Sequence, residues 1–378
     1  MRRARVIVGG GVAGAAAACL LARAGRSVTL IERESVARHK VCGEFLSGAA
    51  QNYLQMLGLD LMALGAVPID HVRLAAGSRM VSAELPFRGL SLPRDTLDEA
   101  LLRRAMALGA EVIRGRCVRE VAAGHPLRIL TSDAGLVVAD TLFLASGKHD
   151  LRGAERAASH AGHDLVGLKT YLRLASAQTQ ALSGHIELAM FDGGYAGLQL
   201  VGEGRANLSL LVSRGRFAKS GKDWPRLIGE LCAENALLHC RLRGAEPELE
   251  RPLAIFRLPF GFRHRDAAGN DNIYRLGDQM ACTPSFSGDG MSIALHTATQ
   301  AVEAYLAGDT AKQYHRRMRG ALAGQFACGR ILSGMIRVPF GRHLLMTAAG
   351  MSPLLLPGLA RLTRLQPPKA PIRSEIVQ

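Results

Sequence analysis

Hydrophobic positions near the amino terminus change their spacing twice before Glu32. Residues 6–8 (Val-Ile-Val) form a continuous apolar run, which is typical of a strand buried on both faces. An Ala-rich segment with Ala18 and Leu21 on one face follows and is closed by Gly25, and residues 28–31 form a second apolar run. The pattern predicts strand, helix and strand in succession, the βαβ unit of a parallel sheet.

Later patterns predict further strands and helices in a different arrangement. Apolar spacing over Arg94–Leu108 and over residues 224–237 predicts helices. Alternating or continuous apolar runs predict strands over residues 71–76, 80–85, 111–114, 118–122, 141–145, 253–259 and 272–276 and a hairpin over residues 197–212. A helix is predicted to start near Gly288 and reach Leu306, and apolar helices interspersed with arginine follow from Ala321.

These elements predict an α/β fold with a Rossmann-like first domain, an inserted antiparallel-sheet domain and a helical C-terminal tail. The expected Rossmann-like domain is discontinuous, over residues 1–66, 91–150 and 265–320. The inserted domain, in which a substrate site is expected, covers residues 67–90 and 151–264, and the tail covers residues 321–378. A tail of this kind either caps the Rossmann-like domain or rests on an anionic membrane surface.

Composition narrows the classes of function. The 378 residues carry a formal net charge of +15, but the basic residues are scattered and only 5% of residues are aromatic, which disfavours nucleic-acid binding. The seven cysteines show no metal-ligand spacing, and no metal site is expected. Their irregular spacing favours reduced thiols and a cytoplasmic location, and peripheral contact with the inner face of the membrane stays open.

The glycines between the first strand and helix indicate a dinucleotide site. Gly9 permits the sharp turn, Gly11 lets the backbone approach a pyrophosphate, and Gly14 lets helix and strand pack closely. Glu32, at the end of the second strand, can accept both ribose hydroxyls. Phosphates would then lie at the helix N-terminus, where free amides and the helix dipole favour negative charge.

A second nucleotide-contacting element, far away in sequence, favours FAD over NAD. Asp278 follows Gly277 at a predicted strand end, where its carboxylate can accept a hydrogen bond from a ribitol hydroxyl. The helix that starts near Gly288 would direct its amides at the pyrimidine edge of the flavin.

With these motifs the chain resembles the FAD-dependent oxidoreductases that include geranylgeranyl reductases, aromatic hydroxylases of the p-hydroxybenzoate hydroxylase type and flavin-dependent halogenases. The resemblance extends to about residue 310 and also rests on Lys40–Glu44 and on Ser91–Asp98. It implies that Arg94 reaches the FAD phosphates and that the backbone of Val118 bonds the adenine. The implied FAD-binding set is Gly9, Gly11, Ala13, Gly14, Glu32, Arg33, Lys40, Cys42, Gly43, Arg94, Val118, Gly147, Asp278, Pro284, Gly288, Asp289, Gly290 and Met291.

The chain departs from each subfamily pattern. Aromatic hydroxylases usually have Ala-Asp-Gly where this chain has Ala-Ser-Gly at residues 145–147, which puts a direct NAD(P)H-driven cycle in doubt. The halogenase signature Trp-x-Trp-x-Ile-Pro is absent, since Trp224 is the only tryptophan. Residues 256–262 keep only the apolar character of the geranylgeranyl reductase motif.

Candidate reactive groups follow from the same resemblance. Cys42 and Glu44 would lie near the flavin ring and could relay a proton, or Cys42 could simply fill space there. His39, His149 and His296 are acid/base candidates with a structural role as the alternative, and Asp289 is expected to cap its helix. The expected walls of an apolar substrate pocket are Phe191, Tyr195, Leu258, Pro259 and Phe260.

The predicted function is FAD-dependent redox chemistry on an apolar aromatic, polyketide-like or isoprenoid molecule. Oxygen-dependent hydroxylation is slightly favoured over hydride transfer by an ene reductase or dehydrogenase. A halogenase and a non-catalytic prenyl-lipid carrier rank lower. The electron source is left open between NAD(P)H and a separate flavin reductase or other electron-transfer partner.

Overall fold

A mostly parallel sheet is built from the amino-terminal third of the chain and one later strand. The computed structural model describes residues 2–122, 124–156, 164–202, 204–256, 258–265 and 270–365. Strand β1 runs parallel to β2 and β9, and β17 runs parallel to β9. The strands lie in the order β6-β2-β1-β9-β8-β7, with β17 also on β9. Their bounds are β1 Arg2–Val8, β2 Thr29–Ile31, β6 Glu111–Ile113, β7 Val118–Ala122, β8 Leu127–Thr131, β9 Leu136–Leu144 and β17 Ile273–Arg275.

A second, larger sheet faces the first domain with one surface. Its order is β14-β10-β13-β12-β11-β4-β5-β3, with β15 also on β10. The expected antiparallel pairing holds except between β4 and β11, which run parallel. The bounds are β3 Phe45–Leu46, β4 Val67–Ala76, β5 Arg79–Ser91, β10 Leu165–Arg173, β11 Gly184–Phe191, β12 Gly194–Leu200, β13 Arg205–Ser213, β14 Glu246–Pro247 and β15 Leu253–Phe256. A separate short pair joins β16 Phe262–Arg263 to β18 Ala281–Cys282.

Helices cover the first sheet and pack on both faces of the second. Their bounds are α1 Val12–Arg23, α2 Gly48–Met56, α3 Arg94–Ala107, α4 Ser176–Leu182, α5 Arg214–Lys219, α6 Trp224–Glu234, α7 Ala236–Leu242, α8 Gly290–Leu306, α9 Ala311–Ala321, α10 Ala323–Arg337, α11 Pro339–Met351 and α12 Leu355–Leu362. The small side chains of α1 let α3 and α8 pack closely against it in one apolar core. This arrangement fixes the amino-terminal turn that the site requires.

The helix predicted over residues 224–237 is two helices. Asn235 leaves the helical conformation with φ −136° and ends α6. Its side chain accepts a hydrogen bond from the backbone N–H of Leu238 at 3.1 Å and caps α7. Asparagine competes with the helical backbone in this way more readily than it continues a helix, which apolar spacing alone does not register.

The tail packs mainly on the second sheet, which corrects the expectation that it caps the FAD-binding domain. Leu345 and Met346 of α11 and Leu356 of α12 share an apolar core with Ile69 and Leu74 of β4. An apolar helix face specifies that the helix is packed but not against which partner, so the sequence did not distinguish the two sheets. The part of the tail beyond residue 365 lies outside the described residues.

Across the described ranges, no single helix has the length and hydropathy needed to cross a membrane. Helices α11 and α12 pass that test only as a pair, and they are bent by 118° relative to each other.

Candidate functional site

The glycine turn after β1 brings three backbone segments too close for larger residues. A Cβ on Gly14 would lie 1.9 Å from the carbonyl oxygen of Gly9, and a Cβ on Gly9 would lie 2.4 Å from that of Ala145. Gly9 also has φ +104°, in the region that favours glycine. Helix α1 then begins at Val12 without a side-chain cap from the described residues. Its first amides therefore point into the turn as hydrogen-bond donors.

Two cations lie next to that helix end. Lys40 Nζ lies 2.7 Å from Asp98 Oδ2, and Arg94 makes two hydrogen bonds of 3.0 Å to the same carboxylate. A Cβ on Gly11 would lie 3.6 Å from both Lys40 Nζ and Arg94 Nη2. Because one buried carboxylate serves two cations, the pocket keeps a net positive charge beside free amides. These residues fit the pyrophosphate of FAD.

Glu32 is buried, and backbone amides already occupy part of its carboxylate. Oε2 accepts from Gly10 N–H, and Oε1 accepts from Glu34 N–H at 3.0 Å. Each oxygen retains lone pairs for a further donor. Glu32 is thus anchored at the end of β2, where the sequence predicted a ribose contact.

The second predicted FAD contact lies directly against the first. Gly277, with φ +55°, begins a short turn after β17, and a Cβ there would lie 3.2 Å from Ala13 of α1. Asp278 follows and is half-buried, with its backbone carbonyl bonded by Arg156 at 3.2 Å. Two elements far apart in sequence therefore meet at one place, as FAD binding requires.

The helix end expected at the flavin ring is formed by residues 284–290. Pro284 precedes a short turn, and Gly288 has φ +67° before α8 begins at Gly290. Asp289 does not cap this helix, which corrects that expectation. Its fully buried carboxylate accepts from Gln325 Nε2 at 2.6 Å and from Leu365 N–H at 2.7 Å, both in the tail region. Burial raises the pKa of Asp289.

The other residues of the predicted FAD set occupy varied positions. Arg33 is exposed and pairs with Glu34, and Val118 starts β7 in the apolar core of the first sheet. The carbonyl of Gly147 accepts from Gln279 Nε2 at 2.8 Å. Met291 is buried in the core formed with α1. Direct contacts of these residues with FAD remain predictions.

Residues 42–44 cross the face of the second sheet, and Glu44 binds four donors there. Its Oε1 lies 2.6 Å from Lys169 Nζ and accepts from Tyr171 Oη at 2.7 Å. The same oxygen accepts from Arg94 N–H at 2.8 Å, and Oε2 accepts from Asn207 Nδ2 at 2.9 Å. Burial lowers the pKa of Lys169, against the opposing effect of the Glu44 carboxylate. Glu44 is fully buried and holds its loop in place, whereas Cys42 and Gly43 border the cavity described next.

A large cavity lies between this loop, the second sheet and the tail. It encloses about 1150 Å³ of space free of protein atoms, including its opening to solvent. Cys42, Gln199 and Ser209 contribute polar groups to its lining, and apolar residues of the second sheet and of the tail form most of the remainder. Gly288 also borders it, so the cavity reaches the place where the flavin ring is expected.

Three of the five predicted pocket residues line this cavity, namely Tyr195, Leu258 and Phe260. Phe191 does not, because neighbouring residues of a strand face opposite sides of the sheet. Met190 faces the core on the cavity side, and Phe191 packs into the core on the other side. Pro259 is buried between Leu258 and Phe260 but is not part of the lining.

The tail forms a wall of the cavity that sequence reasoning missed. Leu356, Leu359 and Ala360 of α12 line it, followed by Thr363 and Arg364. The Arg364 guanidinium lies over the ring of Phe45 at 5.3 Å and over that of Phe87 at 5.2 Å. The apolar repeat of α12 could have signalled a buried face but not this location.

The histidine candidates lie apart from one another. His39 Nδ1 lies 3.3 Å from Tyr171 Oη and 3.3 Å from Asp95, at the edge of the Glu44 network. His296 Nδ1 bonds Tyr53 Oη at 2.8 Å within the core, and burial lowers its pKa. Burial also lowers the pKa of His149. The structure favours a structural role for His296.

Comparisons with known proteins agree with FAD as the cofactor. The family model described as FAD dependent oxidoreductase matches residues 5–63. The menaquinone reductase of Mycolicibacterium smegmatis is 26% identical over 353 residues, which cover 88% of this chain and 84% of that protein. The chain is thus similar to proteins of the FAD-dependent oxidoreductase superfamily. Its predicted α/β fold and its predicted cofactor, FAD, are confirmed.

Solved structures of this superfamily share the whole fold. The flavin-dependent brominase Bmp2 has a TM-score of 0.79 at 19% identity, covering 96% of this chain and 93% of that chain. PqsL, a probable FAD-dependent monooxygenase from Pseudomonas aeruginosa, has a TM-score of 0.69 at 17% identity, covering 92% of this chain and 100% of that chain. At these identities the similarity establishes the fold only. The reaction of this oxidoreductase has to be inferred from its own residues.

Replacing Gly14 by alanine is expected to abolish tight FAD binding. The added Cβ would collide with the Gly9 carbonyl, so α1 must move away from the turn. We expect FAD affinity to fall at least about tenfold, measured by flavin absorbance after gel filtration. Gly229→Ala is the control, because a Cβ there meets nothing within 4 Å. Full FAD retention by Gly14→Ala would contradict this view of the turn.

Replacing Lys169 by methionine is expected to destabilise the protein by about 3–5 kcal/mol, because the buried Glu44 carboxylate loses its cation. Urea unfolding of the holoprotein measures the change. Lys312→Met removes a solvent-exposed pair with Asp271 and should cost no more than about 1 kcal/mol. Equal effects of the two substitutions would show that the Lys169–Glu44 pair is not the anchor of the loop.

Proposed function

We propose that this oxidoreductase reduces a carbon–carbon double bond of an apolar, isoprenoid-type molecule. Bound FAD, in its reduced form, would supply the hydride. The residues of the chain bind and orient the substrate and exclude water from it. The observation that carries the proposal is the cavity, which has a polar side at Cys42 and a long apolar side formed by the second sheet and the tail.

The lining suits a chain-like apolar substrate. Leu74 of β4, Leu188 of β11 and Leu359 of α12 contribute aliphatic surface from three elements. Tyr195 is buried, and burial raises the pKa of its phenol, which therefore stays neutral. Lys148 and Arg364 are charged members of the lining, but most of the wall is aliphatic, which favours a hydrocarbon chain over a sugar or an amino acid.

A sequence similarity that covers most of the chain favours the same class. The mycobacterial relative is named for menaquinone, and the alignment covers most of both chains. A quinone carrying an isoprenoid chain combines a polar ring with a long apolar part, and the cavity offers both surfaces. We therefore propose a prenylated quinone or a related lipid as the substrate class.

Oxygen-dependent hydroxylation is the second candidate. The apolar walls around Cys42 and Gly43 would keep bulk water away from an activated oxygen, which such chemistry also needs. The electron source is proposed to be either NAD(P)H or a separate flavin reductase. Supplying the electrons photochemically allows the reaction to be tested independently of the electron source.

The reaction is tested by incubating the photoreduced holoprotein with a menaquinone that carries an unsaturated isoprenoid chain. After every sample has been reoxidised so that the ring is in the quinone form, ene reduction is expected to leave a product mass higher by two hydrogens per reduced double bond of the chain, without oxygen. Under air, a gain of one oxygen atom would replace the proposal by hydroxylation. Repeating the assay with NADPH and with NADH, each without photoreduction, shows whether a second protein is needed. Heat-denatured enzyme is the control for free reduced flavin.

We further propose that the tail contacts an anionic membrane surface. Residues 323–362 contain no aspartate or glutamate and four arginines. On the outer face of the tail, Phe340 is 78% exposed, Met351 81% and Leu354 79%. Leu356, two residues after the exposed Leu354, lines the cavity, so the beginning of α12 lies between the outer surface and the substrate space. Exposed apolar residues among arginines are typical of interfacial helices.

Vesicle binding tests this contact. The double variant Phe340→Ser, Leu354→Ser is expected to bind phosphatidylglycerol-containing vesicles about tenfold less tightly in a sedimentation assay. Phe256→Ser, at an exposed position outside the tail, should leave binding unchanged. Equal binding of the wild type to purely zwitterionic vesicles, or an unaffected double variant, would contradict the proposed contact.

A further inference from the structure

Both charged residues in the lining of the cavity are cations. Lys148 lies in the turn after β9, and its Nζ lies over the ring of Phe260 at 5.8 Å. Arg364 follows α12 in the tail. None of the described residues that line the cavity is an aspartate or a glutamate. The cavity therefore carries positive charge in a mostly aliphatic surrounding, where water screens the charge less than at an open surface.

The guanidinium of Arg364 is held in place by three neighbours. It lies over the rings of Phe45 and Phe87, at 5.3 and 5.2 Å from their centres. Its Nη1 donates to the backbone carbonyl of Ala360 at 3.1 Å. Phe45 and Ala360 line the cavity as well. Because these contacts fix a planar, rigid group, its other N–H groups also have defined directions.

The other two nitrogens of this guanidinium have no acceptor among the described residues. Nε is buried without a partner. Nη2 forms no hydrogen bond within the described part of the chain, but it is not enclosed by protein. A Cβ on Gly288, which also borders the cavity, would lie 3.6 Å from Nη2. Nη2 is therefore an unused donor at the cavity, and such a group is typical of a site that a ligand completes.

The charge of Arg364 is also not neutralised by a direct ion pair with the described residues. Asp289 acts on it electrostatically, but the Asp289 carboxylate accepts from Ser47 Oγ, Gln325 Nε2 and Leu365 N–H instead. Burial lowers the pKa of Arg364, against the opposing effect of Asp289. A desolvated cation with an incomplete set of acceptors costs free energy, which an oxygen acceptor would offset.

We propose that Arg364 Nη2 binds an oxygen acceptor of the substrate, namely a carbonyl or carboxylate oxygen. The ligand atom has to be an acceptor because the N–H groups of arginine only donate. The inference rests on the proposed function. For a prenylated quinone, the acceptor is a carbonyl oxygen of the ring, and the aliphatic lining holds the isoprenoid chain. The tail thus supplies a substrate-binding group as well as a wall of the cavity.

A flavin oxygen is the alternative acceptor. The pyrimidine edge of the flavin is expected near Gly288, and its carbonyl groups have the same hydrogen-bonding chemistry as a quinone. A guanidinium that binds the flavin would act on its reduction potential, whereas one that binds the substrate acts on the affinity for substrate oxygens. The two sources are therefore separated by measuring ligand affinity and flavin potential on the same variants.

Menadione and 2-methylnaphthalene form a probe pair with the same fused rings and methyl group, of which only menadione carries carbonyl oxygens. Their dissociation constants for the oxidised holoprotein are measured from changes in flavin fluorescence. Arg364→Met is expected to weaken menadione binding about tenfold and to leave 2-methylnaphthalene binding unchanged. Arg364→Lys, which keeps a charged donor, should restore most of the menadione affinity. Lys148→Met, which removes the other cation of the lining, should leave both affinities unchanged.

The remaining outcomes overturn the inference. An equal effect of Arg364→Met on both probes would show a general change of the cavity, and a loss of menadione affinity also in Lys148→Met would show that Arg364 does not hold the oxygen specifically. Unchanged menadione affinity together with a lowered midpoint potential of the FAD in Arg364→Met would assign the guanidinium to the flavin. All three results leave the isoprenoid proposal standing. Failure of both probes to bind the wild type would instead count against the proposed substrate class and, with it, against this site.

Discussion

The buried carboxylate of Glu44 joins the two halves of the molecule at the cavity. One oxygen accepts from the first helix turn of α3, at Arg94, and from the side chains of Lys169 and Tyr171 on the second sheet. Glu44 itself has φ +61°, an uncommon conformation for a residue with a Cβ. The surrounding donors stabilise that conformation, and it is the conformation that directs Cys42 and Gly43 toward the cavity. The position of the loop formed by residues 42–44 thus depends on the buried carboxylate of Glu44 and its donors.

A single buried carboxylate also binds several donors where the FAD phosphates are expected. Asp98 is almost fully buried and binds both Lys40 and Arg94, so it orients two cations without neutralising both. The effect of the formal net charge of +15 is therefore not uniform over the molecule, because Lys40 and Arg94 are held at fixed positions where the phosphates of FAD are expected. The tail also carries positive charge, because residues 323–362 contain four arginines and no aspartate or glutamate.

Local chemistry explains which features the sequence could predict. The spacing of Gly9, Gly11 and Gly14 specifies a turn that is formed by residues close together in sequence. The sequence therefore predicted both the turn and its expected contact with a pyrophosphate. Phe191 was placed on the wrong face because its strand begins at Gly184, and a shift of one residue reverses every side chain. The tail was misplaced because helical spacing does not name a partner. Lys169 in the apolar run of β10 was an available signal, since a lysine is rarely buried without a paired carboxylate.

The attachment of the tail to Asp289 has a consequence for how the protein matures. The βαβ unit predicted to hold the adenosine half of FAD is complete early in synthesis, whereas Gln325 and Leu365, which bind the Asp289 carboxylate, emerge from the ribosome much later. The second expected FAD contact, at Gly277 and Asp278, also emerges late. A nascent chain that lacks the tail therefore has an open, apolar-lined groove, and the cavity closes only after residue 365 has been synthesised.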